Sequence, residues 1–148
     1  MNVRDVMTKD PTCCTPDTSL EAVARLMVDV DCGAIPVVGD LASRFPIGII
    51  TDRDVVTRVV AAGKNPLALV ARDCATMPAV TVTEDTSLDD CCDLLEINQL
   101  RRVIVVDREG RVSGIVAQAD IAAHASKRKA GELVRQVSHP AQARAFHH

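Results

Sequence analysis

The sequence predicts an α+β protein with α/β-type layers, in which two pseudo-symmetric β-α-β-β-α units pack through their sheets. Three observations predict this. The chain repeats itself, each copy alternates extended and helical patterning, and its apolar content is aliphatic. Asp17-Thr18-Ser19-Leu20 recurs 68 residues later as Asp85-Thr86-Ser87-Leu88. At the same offset Asp5 meets Asp73, Thr8 meets Thr76, and Val37-Val38 meets Val105-Val106. The offset then falls to 66, where Gly48-Ile49-Ile50 meets Gly114-Ile115-Val116 and Asp54 meets Asp120. The turn after Val38 is therefore two residues longer in the first copy. Repetition at a fixed period is the first thing to establish, because each copy is then one folding unit.

Each copy opens on an extended stretch, Pro11 to Thr15 and Ala79 to Thr83, rich in Thr and Val. Asp-Thr-Ser-Leu follows as a polar cap before a helix. Leu20, Val23, Ala24 and Met27 in one copy, and Leu88, Cys91, Cys92 and Leu95 in the other, share one helical face. A strand comes next, Ala34 to Val38 or Val103 to Val106, then a turn, clearest at Asp107-Arg108-Glu109-Gly110. The third strand is Ile47 to Thr51 or Val112 to Ala117, and a second helix starts near Asp54 or Asp120. Units of about 60 residues bury too little surface to be secure alone, so two are expected to share a core. The boundaries read as a first unit over 1–62, a linker over 63–69, a second unit over 70–125, and a tail over 126–148 as a helical extension or flexible end. Gly63, Asn65 and Pro66 mark the linker. The tail is basic at Lys127, Arg128 and Lys129 and carries Leu133 and Val134.

Of 148 residues 47% are hydrophobic, yet only two Phe represent the aromatics. A stacking platform for single-stranded nucleic acid needs such rings. A net charge of −3 supplies no basic footprint, so no nucleic-acid partner is expected. No run approaches the roughly 18 apolar residues of a membrane span, and the opening MNVRDVMT is charged where a leader would be apolar. The expectation is a cytoplasmic protein without membrane association. No G-x-x-x-x-G-K-[ST], H-E-x-x-H or G-x-S-x-G occurs, and no nucleophile, base and orienter fall into order, so no enzyme activity is expected.

These residues resemble a tandem pair of CBS domains, a Bateman module. Its carriers are Asp5-Val6-Met7-Thr8, Thr18-Ser19-Leu20-Glu21-Ala22, Ala34-Ile35-Pro36-Val37-Val38 and Gly48-Ile49-Ile50-Thr51-Asp52-Arg53-Asp54. The second copy matches through Thr86-Ser87-Leu88, Arg101 to Asp107, and Gly114-Ile115-Val116 followed by Asp120. The likeness covers about residues 1–125, and no catalytic domain accompanies it, so the chain looks like a stand-alone pair. The resemblance implies a regulatory, homodimeric module for an adenosine-containing ligand: AMP, ADP, ATP, NAD or S-adenosylmethionine. An unknown protein partner would read the state of the module.

The resemblance also implies roles for residues. Asp54, in Thr51-x-x-Asp54, would accept bonds from the ribose hydroxyls while Thr51 positions sugar and phosphate. Helix N-termini suit phosphate in general. Capping alone explains the same pattern, and the two roles are compatible. The second copy reads Ala117-Gln118-Ala119-Asp120, which keeps the acid and loses the hydroxyl. Arg101 and Arg102 would contact phosphates, for which the planar guanidinium is suited. They replace Gly33-Ala34 of the first copy. The arginines are thus expected with Asp120, and Arg53 is the substitute near Asp54. Each slot would combine both copies: Asp54 with Val80, Thr81, Val82 and Val103, and Asp120 with Thr12, Cys13, Ile35 and Pro36. Those apolar residues equally suit sheet core.

Five of six cysteines stand opposite a hydrocarbon side chain in the other copy: Cys14, Cys32, Cys74, Cys91 and Cys92. Such cysteines behave as small hydrophobes. Cys13, opposite Thr81, differs, and neighbours on a strand point to opposite faces. A redox- or metal-responsive dimer acting through Cys13 and Cys14 is therefore the alternative, although no four-ligand pattern is visible. His124 and His139 show no ligand spacing, and His147 and His148 are left out of site arguments. A third alternative is a ligand-free assembly scaffold.

Overall fold

The structure is a computed structural model that describes residues 1–136. Its strands are β1 (Thr8–Lys9), β2 (Ala34–Val38), β3 (Pro46–Thr51), β4 (Thr81–Thr83), β5 (Arg102–Val106) and β6 (Val112–Ala117). Its α-helices are α1 (Leu20–Asp29), the single turn α2 (Asp52–Asp54), α3 (Leu88–Ile97) and α4 (Gln118–Gln136). The β-α-β-β-α order is present in both copies, as the repeat predicts. In the first copy the opening strand shrinks to a parallel bridge between Cys14 and Val37. Its counterpart β4 pairs in parallel with β5, with Val82 opposite Val105. β2 pairs with β3, and β5 with β6, as antiparallel hairpins.

Caps recur with the repeat. Ser19 Oγ accepts from the Ala22 N–H and Ser87 Oγ from the Asp90 N–H, both at 3.1 Å. Each satisfies one of the unpaired donors at a helix start. The second helices differ. After α2 the first copy widens into π-helical turns over Val55–Val60, with the Ala61 N–H donating to Val56 O, whereas α4 runs on regularly. The tail thus extends the last helix to residue 136. The rest of it, with His139, His147 and His148, lies outside the described residues.

The two copies exchange their leading segments. β1 joins the second copy's sheet, Thr8 opposite Ile115, giving the order β1-β6-β5-β4. Thr76 makes the equivalent bridge to Ile49. The Val3 N–H donates to Thr86 O, and the Ala71 N–H to Thr18 O. Arg4 pairs with Asp85, and Arg72 with Asp17, so even these ion pairs repeat at the offset of 68. Gly48 and Gly114 make the crossings possible. A Cβ at Gly48 would sit 2.7 Å from Thr76 O, and one at Gly114 would sit 3.1 Å from Thr8 O.

Burial follows this exchange. The first core gathers Cys14, Leu20, Val23, Ile35, Val37, Ile50 and Val59 with Ala71, Cys74 and Ala75 from the second copy's leading segment. The second gathers Val82, Cys91, Leu95, Val103, Val105, Val116 and Ile121 with Val3 from the first copy's. A third core lies between the sheets: Cys13, Val38, Ile104 and Val112, with Ile49, Ala79 and Val106 against it. The longer turn of the first copy closes over this joint. The Val112 N–H donates to Arg44 O, and an Arg44 guanidinium N–H donates to Pro11 O at 3.0 Å. The Arg111 guanidinium stands 5.7 Å from the Phe45 ring centre, a cation–π distance.

Candidate functional site

Two equivalent strand-to-helix junctions form where β3 enters α2 and where β6 enters α4. At the first, Thr51 Oγ1 accepts from the Asp54 N–H at 3.1 Å while Asp54 Oδ2 accepts from the Thr51 N–H at 2.9 Å. This reciprocal box satisfies two donors that the helix start leaves free. Asp54 Oδ1 faces Arg58 Nε at 3.8 Å. Arg58 is anchored in turn, donating to the carbonyls of Cys74 and Ala75. The Asp54 carboxylate is thus held in one orientation, with lone pairs to spare for further donors.

The second junction keeps half of this. Asp120 Oδ2 accepts from the Ala117 N–H at 3.1 Å, and with no hydroxyl at Ala117 the return bond is missing. Asp120 is exposed where Asp54 is half-buried. The acid's bond from the backbone N–H forms in both copies because it does not depend on the threonine.

Arg102 departs from the expected pairing with Asp120. Its guanidinium crosses to the first copy, donating to Gly33 O at 3.4 Å and standing 3.9 Å from Asp52 Oδ1. Strand alternation is the reason. Val103 and Val105 turn into the second core, so Arg102, Ile104 and Val106 face the joint. Gly33 O also accepts from the Asp52 N–H, and a Cβ at Gly33 would stand 2.5 Å from Asp52 Oδ2. Only glycine lets the Asp52 carboxylate fold over this turn. Arg101 and Arg53 are exposed, and the Arg53 N–H donates to Asp52 Oδ1.

The same alternation divides the expected slot residues. Val82, Val103 and Ile35 are enclosed in the unit cores, and Val80 packs against the second, so these side chains do not line a cleft. Only their main chains remain to address a ligand. Cys13 lies in the joint, Pro36 is buried, and Thr81 and Thr12 are half-buried. Asp52 and Gly33 escaped the sequence reading, although the acid-rich Thr51-Asp52-Arg53-Asp54 run was their signal.

Cys13 and Cys14 point into separate cores, as neighbours on an extended chain must. Burial pushes the Cys13 thiol up and lifts Cys14 to about 12. Both stay protonated at neutral pH, as an ordinary thiol largely does. Among the described residues no three His, Cys, Asp or Glu gather closely enough to hold a metal ion. Two cavities, of about 570 and 400 Å³, are lined by no residue of either junction.

The family model of the CBS domain matches residues 3–61 and 71–127. The chain belongs to the CBS domain family. Modules of this family are regulatory rather than catalytic, and the chain is a CBS pair. Hypoxic response protein 1 of Mycobacterium tuberculosis is 35% identical over 137 residues, covering 93% of this chain and 94% of that protein. The uncharacterized protein MK0525 of Methanopyrus kandleri is 39% identical over 118 residues, 80% of this chain, which spans 57% of that protein's length. Among solved structures, Hypoxic Response Protein I with two coordinated zinc ions superposes with a TM-score of 0.72 at 35% identity, covering 84% of this chain and 98% of that one. The CBS pair of MJ0100 in complex with 5-methylthioadenosine and S-adenosyl-L-methionine gives 0.76 at 25% identity, covering 86% and 98%. CBSX2 in complex with AMP, a protein of Arabidopsis thaliana, gives 0.72 at 25%, also covering 86% and 98%. Among the described residues no helix is long and apolar enough to cross a membrane.

Proposed function

We propose that this CBS pair senses an adenosine-containing ligand (AMP, ADP, ATP, NAD or S-adenosylmethionine) where its two copies meet. One observation carries the reading. Each copy holds an oriented carboxylate at the same strand-to-helix junction, Asp54 and Asp120, and a cation from the second copy reaches the first junction through Arg102. A carboxylate fixed by a backbone N–H accepts from vicinal ribose hydroxyls, and a nearby guanidinium suits phosphate. The AMP complex of CBSX2 and the S-adenosyl-L-methionine complex of MJ0100 support this ligand class. Among the described residues no three His, Cys, Asp or Glu stand close enough to hold zinc, which the Hypoxic Response Protein I structure coordinates.

Signalling would follow from position. A ligand touching both copies stabilises the arrangement in which both contacts are made, and so shifts the population toward it. The module would present that arrangement as a homodimer to a protein partner. Val28, Val56 and Val60 are exposed on the helical side of the first unit, where a second copy would cover them. Sedimentation of V56D is expected to favour monomer relative to the wild type, and an unchanged wild-type monomer refutes the dimer. Calorimetric titration with the five ligands tests the sensor reading. Saturable binding of at least one, weakened at least tenfold in D54A or D120A, supports it. Binding that neither variant alters refutes it.

A further inference from the structure

Asp54 is tied to more than its own junction. Its Oδ2 accepts from the Thr51 N–H at 2.9 Å, and its Oδ1 faces Arg58 Nε at 3.8 Å. The same guanidinium donates through Nη1 to Cys74 O at 3.4 Å and to Ala75 O at 3.3 Å. Those carbonyls belong to the second copy's leading segment, which docks on the first copy. Backbone bonds hold that segment in its seat: the Ala71 N–H to Thr18 O, the Arg72 N–H to Pro16 O, and the exchange of both bonds between Thr76 and Ile49. One arginine therefore joins the junction acid of one copy to a segment of the other. The Cys74 thiol feels both charges: burial first and then Asp54 push it up, while Arg58 pulls it down.

Stability alone does not account for this arginine. An ion pair of this length, with Arg58 half open to solvent, contributes little. The repeat supplies an internal control. The first copy's leading segment folds the same way: the Val6 and Met7 N–H groups donate to Val3 O as those of Cys74 and Ala75 donate to Ala71 O. Four residues after Asp120, within the regular α4, stands His124, and its Nε2 makes no hydrogen bond among the described residues. Seating a leading segment thus does not require a bridge from the junction acid. Among the described residues the first copy alone builds one, on the widened turns over Val55–Val60 that start directly after Asp54. Such π turns are frequent at functional sites.

We infer that Arg58 is a positioning residue that couples a ligand on Asp54 to the seating of the second copy's leading segment. The inference rests on the adenosine reading and adds the regulation of that site. With Oδ2 bound to the Thr51 N–H, ribose hydroxyls address Oδ1, the atom that Arg58 faces. A bound ribose favours this placement of Asp54 and Arg58, and Arg58 so placed holds the Cys74 and Ala75 carbonyls. Coupling between two sites is reciprocal, so a ligand on Asp54 keeps the segment seated, and a seated segment raises affinity at Asp54. The Asp120 slot lacks this line to Val6 and Met7.

Amide hydrogen exchange of the full chain tests this, because every amide from Ala71 to Thr76 is hydrogen-bonded and exchanges only when the segment lifts. AMP is the probe, at saturation for each variant. In the wild type, AMP is expected to slow exchange at Cys74 to Thr76 at least about fivefold more than at Val6 to Thr8. General stabilisation by a ligand would slow both segments alike. R58M is expected to lose that excess. R58K, which keeps the charge and the stem but not the planar fork, is expected to lose most of it. Without ligand, D54A is expected to speed exchange at Cys74 to Thr76, while D120A leaves Val6 to Thr8 unchanged. Equal slowing of the two segments, or an excess that persists in R58M, overturns the inference and leaves the sensor reading standing. Without saturable AMP binding that D54A weakens, the inference falls together with the sensor reading for AMP.

Discussion

Arg102 Nη1 stands 3.4 Å from the carbonyl oxygen of Gly33, which the Asp52 N–H also reaches. This guanidinium belongs to one copy and its acceptor to the other, so it spans the joint that a ligand would bridge. Both partners are partly open to solvent, and the ion pair with Asp52 is long, so the contact itself stabilises little. R102A is expected to cost at most about 1 kcal/mol in urea unfolding. Its larger effect is expected on phosphate-bearing ligands, with AMP affinity falling at least tenfold and adenosine affinity nearly unchanged. Equal losses for both would show that Arg102 does not face the phosphate.

The exchanged strands give a sharper stability prediction. G48A places a methyl group against the Thr76 carbonyl and G114A places one against Thr8, each inside a strand crossing. Backbone cannot step aside cheaply, so each is expected to cost about 1–3 kcal/mol in denaturant unfolding. G39A has open space around the new atom and is expected to be nearly neutral.

The unequal junctions can be interchanged. T51A removes the hydroxyl that caps α2 and is expected to destabilise by about 1 kcal/mol. A117T supplies the missing half of the box at α4 and is expected to stabilise by a similar amount. Thermal unfolding of the two single variants tests this, and equal signs would contradict it.

Thiol burial sets the alkaline limit. The folded state holds the Cys14 proton to about pH 12, whereas the unfolded chain releases it near the ordinary value of 9.0. Cys13, Cys74, Cys91 and Cys92 are raised in the same direction by burial. The folded state then binds more protons than the unfolded one above pH 9, so stability falls as pH rises. These thiols contribute no pH dependence below that, and each adds a slope of at most about 1.4 kcal/mol per pH unit above it. Urea unfolding between pH 7 and 11 measures the slope. In native protein at pH 8 Cys14 is expected to resist a thiol reagent that labels the unfolded chain.

Much of this is legible in the sequence. The offset of 68 residues predicted the paired units, and Thr51 with Asp54 predicted a capped junction, because both depend on local chemistry. The exchange of leading segments was not legible. Thr8–Lys9 is a two-residue strand with exposed side chains, so no alternation marks it, and its partner Ile115 lies over a hundred residues away. The face that each slot residue takes was also lost. Val103 and Arg102 are neighbours in a run that reads as uniformly strand-like, and only register shows that one enters a core while the other crosses the joint.

The most direct measurement is a crystal structure of the chain grown with saturating ligand, AMP first. The account predicts density between the copies, with ribose hydroxyls within hydrogen-bond distance of the Asp54 or Asp120 carboxylate. Ligand bound with its ribose away from both carboxylates would contradict it.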